Sequence, residues 1–327
     1  MSRFKLIPNL FRPTAEAGPD DPAKYEERLD SLAQVIRDLD PDVLAVQEVG
    51  GPEPFEDLVA ALQDQYPHQR LSTNPDRRGI RVGFLSKLEI AASDELVQFP
   101  EAGLPTVPRL DSKGDFYQST RLNRGALRIQ VQSQSDIPIY LITAHLKSKL
   151  LTFPNPSGRA RFSPRNENER ARVAGTALLQ RTAEAVALRI WANDLLNRQP
   201  EAALILLGDL NDVTDAATTQ ILQGPPGSEI GTRGFNAPDK GNKARLFNLA
   251  PLIPEERRFS RIYKGNGELI DHILASEELL SGQPRQVPAV DSHVDLLGGL
   301  PSISGNPNER REEPGSDHAP VTATFDI

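Results

Sequence analysis

Two short stretches of this chain, residues 43–46 (Val-Leu-Ala-Val) and 203–207 (Ala-Leu-Ile-Leu-Leu), contain no polar side chain. A strand that is apolar on both faces has to be covered on both faces, so these segments demand a sheet buried between other layers. The flanking sequence supplies the covers. Residues 25–39 carry Leu29, Leu32, Ile36 and Leu39 at helical spacing and stop at Asp40-Pro41. Residues 55–65 place Phe55, Leu58, Val59 and Leu62 on one helical face, and residues 170–196 give a long third helix with a stripe of Ala174, Leu178, Ala185, Leu188, Ala192 and Leu195. Further strands are expected over 81–85, 127–131, 139–143, 269–274 and 321–325. Strands and helices do not alternate strictly, and Ser133-Gln134-Ser135-Asp136 joins two strands directly, which favours antiparallel pairing there. The expected class is therefore α/β, with sheets inside and helices outside.

The chain has 327 residues, enough for two domains or one large one. No stretch has the composition of an interdomain linker, so a single domain over 1–327 is expected, with long loops near 100–120, 152–168 and 281–316, in keeping with 28 prolines. Cysteine is absent, which excludes a disulfide framework, a thiolate zinc site and a cysteine nucleophile. A net charge of -8 argues against a general basic coat for nucleic acid but leaves room for a local patch or a bridging metal. No apolar run approaches the roughly 18 residues of a membrane helix. The start, Met1-Ser2-Arg3-Phe4-Lys5-Leu6, lacks a signal-peptide core. The chain is thus expected to be cytoplasmic as it stands, or secreted if a leader has been removed, and to work as a monomer without an obligate protein partner.

Polar, chemically capable residues follow the apolar strands with regularity. Strand 43–46 leads to Glu48, strand 139–143 to His145, and strand 203–207 to Asp209 and Asn211. Asp271-His272 lies within 269–274, and Asp317-His318 immediately precedes the last strand. Each has an ordinary reading as a turn or cap residue. Five such strand ends together do not, because each places a costly group at the rim of a core, where water or a metal must satisfy it. His68, His272 and His293 stand in weaker contexts and read as structural or solvent-facing. Carboxylates dominate this set and there is no His-Glu-x-x-His pair, so magnesium or manganese is favoured over zinc. A hard cation with few protein ligands leaves positions for phosphate oxygens, and paired Asp and His groups can orient a water and handle its proton. The chemistry points to phosphoester hydrolysis.

The ordered set Gln47-Glu48-Val49, Thr143-Ala144-His145-Leu146-Lys147-Ser148-Lys149, Gly208-Asp209-Leu210-Asn211-Asp212, Ile270-Asp271-His272-Ile273-Leu274 and Ser316-Asp317-His318-Ala319-Pro320 resembles the endonuclease/exonuclease/phosphatase superfamily, the deoxyribonuclease-I-like enzymes, and most closely its bacterial nuclease-like members. The resemblance spans nearly the whole chain. It implies a four-layer α/β sandwich with two central mixed sheets and an active site at one edge. It also implies roles. Glu48 and Asp317 match metal-site carboxylates; Asp209 matches the group that orients or deprotonates the attacking water, and Asn211 its substrate-positioning neighbour. Asp271 matches the partner of a catalytic His318, His145 the histidine that contacts the scissile phosphate or protonates the leaving group, and Arg124 a phosphate-binding arginine. At one position the chain departs from the pattern: the first-strand asparagine of the family falls on Leu6, and Asn9 stands in for it at the metal site only if that strand is shifted or bulged.

Arg159, Arg161, Arg165, Arg170 and Arg172 follow Lys147 and Lys149 and form a candidate polyanion cradle. The implied activity is that of a magnesium- or manganese-dependent phosphodiesterase, a nuclease acting on DNA or RNA. Two alternatives stay open. One is a phosphatase or phosphodiesterase for a small-molecule or lipid phosphoester; the other is a catalytically compromised binding protein on the same fold, motivated by Leu6.

Overall fold

The computed structural model describes residues 2–7, 18–133, 137–157, 161–238, 243–280, 289–305 and 313–326. One six-stranded sheet runs in the order β15 (Ala289–Ser292), β17 (Val321–Phe325), β1 (Ser2–Ile7), β2 (Val43–Val49), β4 (Arg81–Ser86), β3 (His68–Leu71). A second runs β11 (Leu246–Asn248), β14 (Asp271–Ser276), β10 (Ala203–Asp209), β9 (Pro138–His145), β8 (Arg121–Gln132), β5 (Ile90–Gln98). Both are mixed: β1 with β2 and β9 with β10 are parallel, and their other pairings are antiparallel, including β8 with β9 on either side of the 133–136 connection.

The two-residue alternation of the strands explains the layering. Val43 and Ala45 of β2 join Ile139, Leu141, Ile205 and Leu207 in one core between the sheets. Their neighbours Leu44 and Val46 face the opposite way, into a core with Tyr25, Leu29, Leu32 and Ile36 of α1 (Pro22–Leu39) and Phe55 and Leu58 of α2 (Pro52–Ala61). On the other sheet Ile142, Leu204 and Leu206 pack against Ala185, Leu188, Trp191 and Leu195 of α3 (Glu167–Arg198). The molecule is thus a four-layer sandwich, helices outside two sheets. Local signals set the helix starts: Asp21 Oδ1 accepts from Ala23 N at 2.9 Å with Pro22 in the first turn, and Asn166 Oδ1 accepts from Glu169 N at 3.0 Å.

Two expected loops carry short strands. Residues 100–120 hold the hairpin β6 (Val107–Leu110) and β7 (Phe116–Ser119). The stretch 281–316 contributes β15 and β16 (Ser302–Ile303), the latter completing a small sheet with β12 (Arg261–Tyr263) and β13 (Asn266–Glu268). These strands are two to four residues long, too short for an apolar periodicity to mark them. A short helix, α4 (Ala217–Leu222), follows the Asp209–Asp212 segment. No helix among the described residues is long and apolar enough to cross a membrane.

Candidate active site

Register brings the strand-end residues to one edge. In the parallel β9–β10 ladder His145 stands opposite Asp209, and in the antiparallel β10–β14 ladder Asp209 stands opposite Asp271. Alternation then fixes their direction. His145, Asp209 and Asp271 share the parity of Leu141, Leu207 and Ile273, which line the core between the sheets, so all three point into the gap at its rim. His272, of opposite parity, points away and is buried as a structural residue; its Nε2–H donates to Asp212 O at 2.9 Å, and its Nδ1 takes Asn248 Nδ2 at 3.1 Å. His68 and His293 are half-buried, and His293 Nε2 bonds Thr322 Oγ1 at 2.9 Å.

Glu48 is out of parity. A regular β2 would turn its side chain toward the helices with Leu44 and Val46. The β2–β4 register shifts between Val46 and Val49, a bulge of one residue, and Glu48 takes the left-handed region at φ 52°. Its Oε1 thereby reaches to 3.8 Å from His145 Nε2 on the other sheet, with 24% of the side chain exposed. Gln47, of inward parity, ties the sheets together by donating from Nε2 to Thr143 Oγ1 at 2.8 Å.

Asp209 is held from several sides. Asn211 N donates to its Oδ1 at 2.9 Å and Asn211 Nδ2 to its Oδ2 at 3.0 Å, while the same Nδ2 contacts Leu146 O at 3.1 Å. The chain turns sharply to allow this, with Asn211 at φ 54°, a conformation asparagine tolerates. Gly208 is obligatory just before it, since a Cβ there would sit 1.9 Å from Ala144 O. His145 Nε2 lies 3.2 Å from Asp209 Oδ2. Burial, then the negative charges of Asp271 and Glu48, push the Asp209 carboxyl up to about 7, against the opposing pull of His318 and Arg261. Burial and the cations Arg124 and Arg78 hold His145 well below the ordinary imidazole range, so it is neutral, with Nε2–H facing Asp209 and a buried Nδ1 that has no partner.

His318 is the opposite kind of histidine. Its Nδ1 lies 2.7 Å from Asp271 Oδ2. Burial disfavours its charged form, but Asp271 outweighs burial and, with Asp317 and Asp209, raises it to about 10. Ser260, absent from the sequence-based set, clamps both members of the pair. Its Oγ accepts from Ile270 N and Asp271 N at 3.1 and 3.2 Å, and its carbonyl accepts from Ala319 N at 2.6 Å.

A polar turn of α3 braces the site from behind. Glu184, 1% exposed, accepts from Lys147 N at 2.7 Å, Asn123 N at 2.8 Å and Gln180 Nε2 at 2.7 Å. Arg181, three residues earlier, donates to Lys147 O at 3.1 Å and pairs with Asp212 Oδ2 at 3.1 Å; Asp212 also takes Thr218 Oγ1 at 2.6 Å and Lys149 Nζ at 2.9 Å. The loops after His145 and after Asn211 are thus fastened to one helical turn.

The basic residues of the expected set make contacts within the chain. Arg124, expected to bind phosphate, is 3% exposed in its side chain and fully engaged: Nη2 and Nε on Asp76 Oδ2 at 3.0 and 3.2 Å, Nη1 on the carbonyls of His145 and Leu146 at 3.2 and 3.4 Å. It is a brace. Three arginines of the expected cradle have local contacts of their own. Arg161 pairs with Glu169 at 2.5 Å, Arg170 with Glu167, and Arg172 lies over Phe116, while Arg159 lies outside the described residues. Leu6 sits on β1 opposite Ala45, two residues short of the bulge; Asn9 lies outside the described residues.

The donor set fits a hard divalent cation. Ligand-type atoms of Asp209, Asp271 and His318 lie within 4.8 Å of one another, and since His318 is charged and paired with Asp271, the donors left for a cation are carboxylate oxygens, Glu48 among them. Burial raises Glu48, and so does the charge of Asp317, against Arg78 and Arg124, as expected of carboxylates gathered before a cation neutralises them.

Known folds agree with this geometry. The chain is similar, at 15% identity and TM-score 0.54, to an endonuclease/exonuclease/phosphatase family protein from Leptotrichia buccalis, with all of both chains covered. It is similar at 15% and 0.55 to truncated Caenorhabditis elegans TDP2, covering 99% of this chain and 98% of that one. A mannosyl-6-phosphatase of Bacteroides thetaiotaomicron gives 14% and 0.56 over the whole of both chains. No curated protein sequence matches it. The profile of the Endonuclease/Exonuclease/phosphatase family matches residues 9–318, nearly the full length. Its members are phosphoester hydrolases and in general use divalent metals. On that match, and on a fold that agrees with it, the chain belongs to the endonuclease/exonuclease/phosphatase family.

Proposed function

We propose that this chain is a magnesium- or manganese-dependent phosphodiesterase of the nuclease type, acting on DNA or RNA as a single catalytic unit and as a monomer. The observation that carries the reading is the His318–Asp271 pair at 2.7 Å set beside His145 and Asp209 at 3.2 Å on the same cleft edge. Glu48 and Asp317 are the carboxylates that would hold the cation, which when bound supplies charge neutralisation at the phosphoryl and leaving oxygens.

The remaining steps belong to side chains. Asp209 orients a water and accepts its proton, a task suited to a group whose pKa lies near the working pH. Asn211 fixes the Asp209 carboxylate through its backbone and amide N–H groups. His318, kept protonated by Asp271, donates to a phosphoryl oxygen and stabilises the charge that develops there. His145, being neutral, directs its Nε2–H at Asp209 and so positions that carboxylate.

A second reading, hydrolysis of a small-molecule or lipid phosphoester, is favoured by the local neutralisation of the arginine cluster and by the likeness to a mannosyl-6-phosphatase fold. A substrate panel separates the two. Duplex and single-stranded DNA, RNA, and phosphorylated sugars and headgroups are assayed with magnesium, manganese or chelator. Chelator-sensitive cleavage of nucleic acid is expected. Turnover confined to small monoesters selects the second reading, and no turnover on any substrate, or turnover indifferent to chelator, overturns both.

A further inference from the structure

We infer that Arg78 is the phosphate-binding residue of this site, an oxyanion receptor at the cleft mouth that takes over the contact Arg124 is not free to make. The inference deepens the phosphoester reading above and rests on it for the identity of the ligand.

The turn that carries Arg78 is built to hold it still. Asp76 Oδ1 accepts from the backbone N of Arg78 at 2.8 Å and of Ile80 at 3.1 Å, Asp76 N donates to Ile80 O at 3.0 Å, and Gly79 closes the turn at φ 85°. The turn is fastened to both walls of the cleft. On the first sheet, Gly79 packs against Gly50 O, two residues beyond Glu48, where an added Cβ would lie at 3.4 Å. On the second, Gly125 N donates to Asn74 O at 3.0 Å, beside Arg124. Arg124 in turn reaches the carbonyl of His145 at 3.2 Å. Arg78 therefore stands between the segment bearing Glu48 and the strand end bearing His145.

Its charge is unspent. Asp76 lies 3.7 Å away, but that carboxylate is already bound at 3.0 and 3.2 Å by Arg124. Two guanidinium groups share one carboxylate, and the surplus positive charge sits on the exposed partner: the Arg78 side chain is 44% exposed, whereas that of Arg124 is 3% exposed. Among the described residues the Arg78 guanidinium makes no hydrogen bond. The field of this cation reaches into the site, where it opposes the rise of Glu48 and helps hold down His145 and Lys147. A planar, half-solvated guanidinium on a rigid turn, facing a cluster of carboxylates, suits bidentate capture of a phosphate oxyanion brought among them.

The test compares neighbouring arginines of one turn. Inorganic phosphate is titrated calorimetrically, with magnesium present, into wild type, Arg78→Gln, Arg78→Lys and Arg77→Gln, and thermal melts check folding. Arg77 is exposed and adjacent, so it reports what a diffuse positive field contributes. Losing a charge-assisted contact should weaken phosphate at least about tenfold in Arg78→Gln, with Arg78→Lys in between and Arg77→Gln within about twofold of wild type. In turnover, KM should rise more than kcat falls. Equal losses in the Arg77 and Arg78 variants, or unchanged phosphate affinity in Arg78→Gln, overturn the inference. Arg78-dependent phosphate binding in a protein that hydrolyses nothing in the substrate panel sustains the receptor and defeats the hydrolase.

Discussion

The two walls of the cleft are made differently. On the second sheet His145, Asp209, Asn211 and Asp271 are all buried, the three that lie on strands point where strand alternation sends them, and α3 fastens the loops that follow through Glu184 and Arg181. On the first sheet Glu48 stands on a bulge, in a left-handed conformation, partly exposed, beside the solvated turn of Arg78. In the proposed mechanism, proton handling, which depends on angle and distance, falls to the braced wall, and capture of ions from solvent, which depends on access and open valence, falls to the exposed one.

The largest effect should come from the braced wall. Asp209→Asn removes the proposed base and should cut turnover by roughly 10²–10⁴-fold without unfolding the protein; near wild-type turnover would take this wall out of the chemistry. Next comes the exposed wall. Manganese or magnesium at a hundredfold excess over its dissociation constant should stabilise the fold by about 2.7 kcal/mol, seen as a rise in melting temperature that chelator reverses. Glu48→Gln should blunt that rise, and an unchanged response would move the cation away from the first sheet.

A smaller effect tests the bracing itself. Glu184→Gln turns an amide N–H toward one of three backbone or side-chain donors, so stability should fall by about 1–3 kcal/mol. Amide exchange at Lys147 and Asn123 should quicken with it. Protection as in wild type would mean that α3 does not hold these loops. The last effect is a pH dependence. Asp209 has a folded-state pKa of about 7 against 3.8, so the folded protein holds this proton more tightly than the unfolded chain. The cost of ionising it is absent below the unfolded value, grows between the two, and is fully present above the folded one. In chelator, Asp209→Asn should therefore melt a few degrees above wild type near pH 8, and the gap should close near pH 4. A gap of the same size at both pH values would show that Asp209 ionises without penalty.

Much of the braced wall was legible as sequence. The apolar strands gave the buried sheets, and Leu141, Leu207 and Ile273 carry the parity that makes His145, Asp209 and Asp271 face inward. The family resemblance then paired Asp271 with His318, and the two meet at 2.7 Å. The exposed wall was not legible in the same way. Glu48 has the wrong parity for its place, and only a backbone register shift, which no side-chain pattern announces, turns it into the cleft. Arg124 and Arg78 were indistinguishable as letters, because the difference lies in which one Asp76 engages. Ser260 acts largely through backbone contacts and left no signal. The strands β5 to β7 and β12, β13 and β16 are short or mostly solvent-facing, so they lack the apolar runs that reveal β2 and β10.

The bulge at Gln47–Glu48 also sets how this scaffold can change over generations. It adds one residue to β2 relative to β4, and it costs about 1–2 kcal/mol to hold a non-glycine residue in the left-handed region. Loss of the single codon for Glu48 would remove the strain, restore an unbroken ladder to Arg81 and leave Gln47 bridging the sheets to Thr143. The same event would empty the cleft of its first-sheet carboxylate. Such a chain is therefore one in-frame deletion away from a protein with a relaxed β2 and no carboxylate from the first sheet in the cleft.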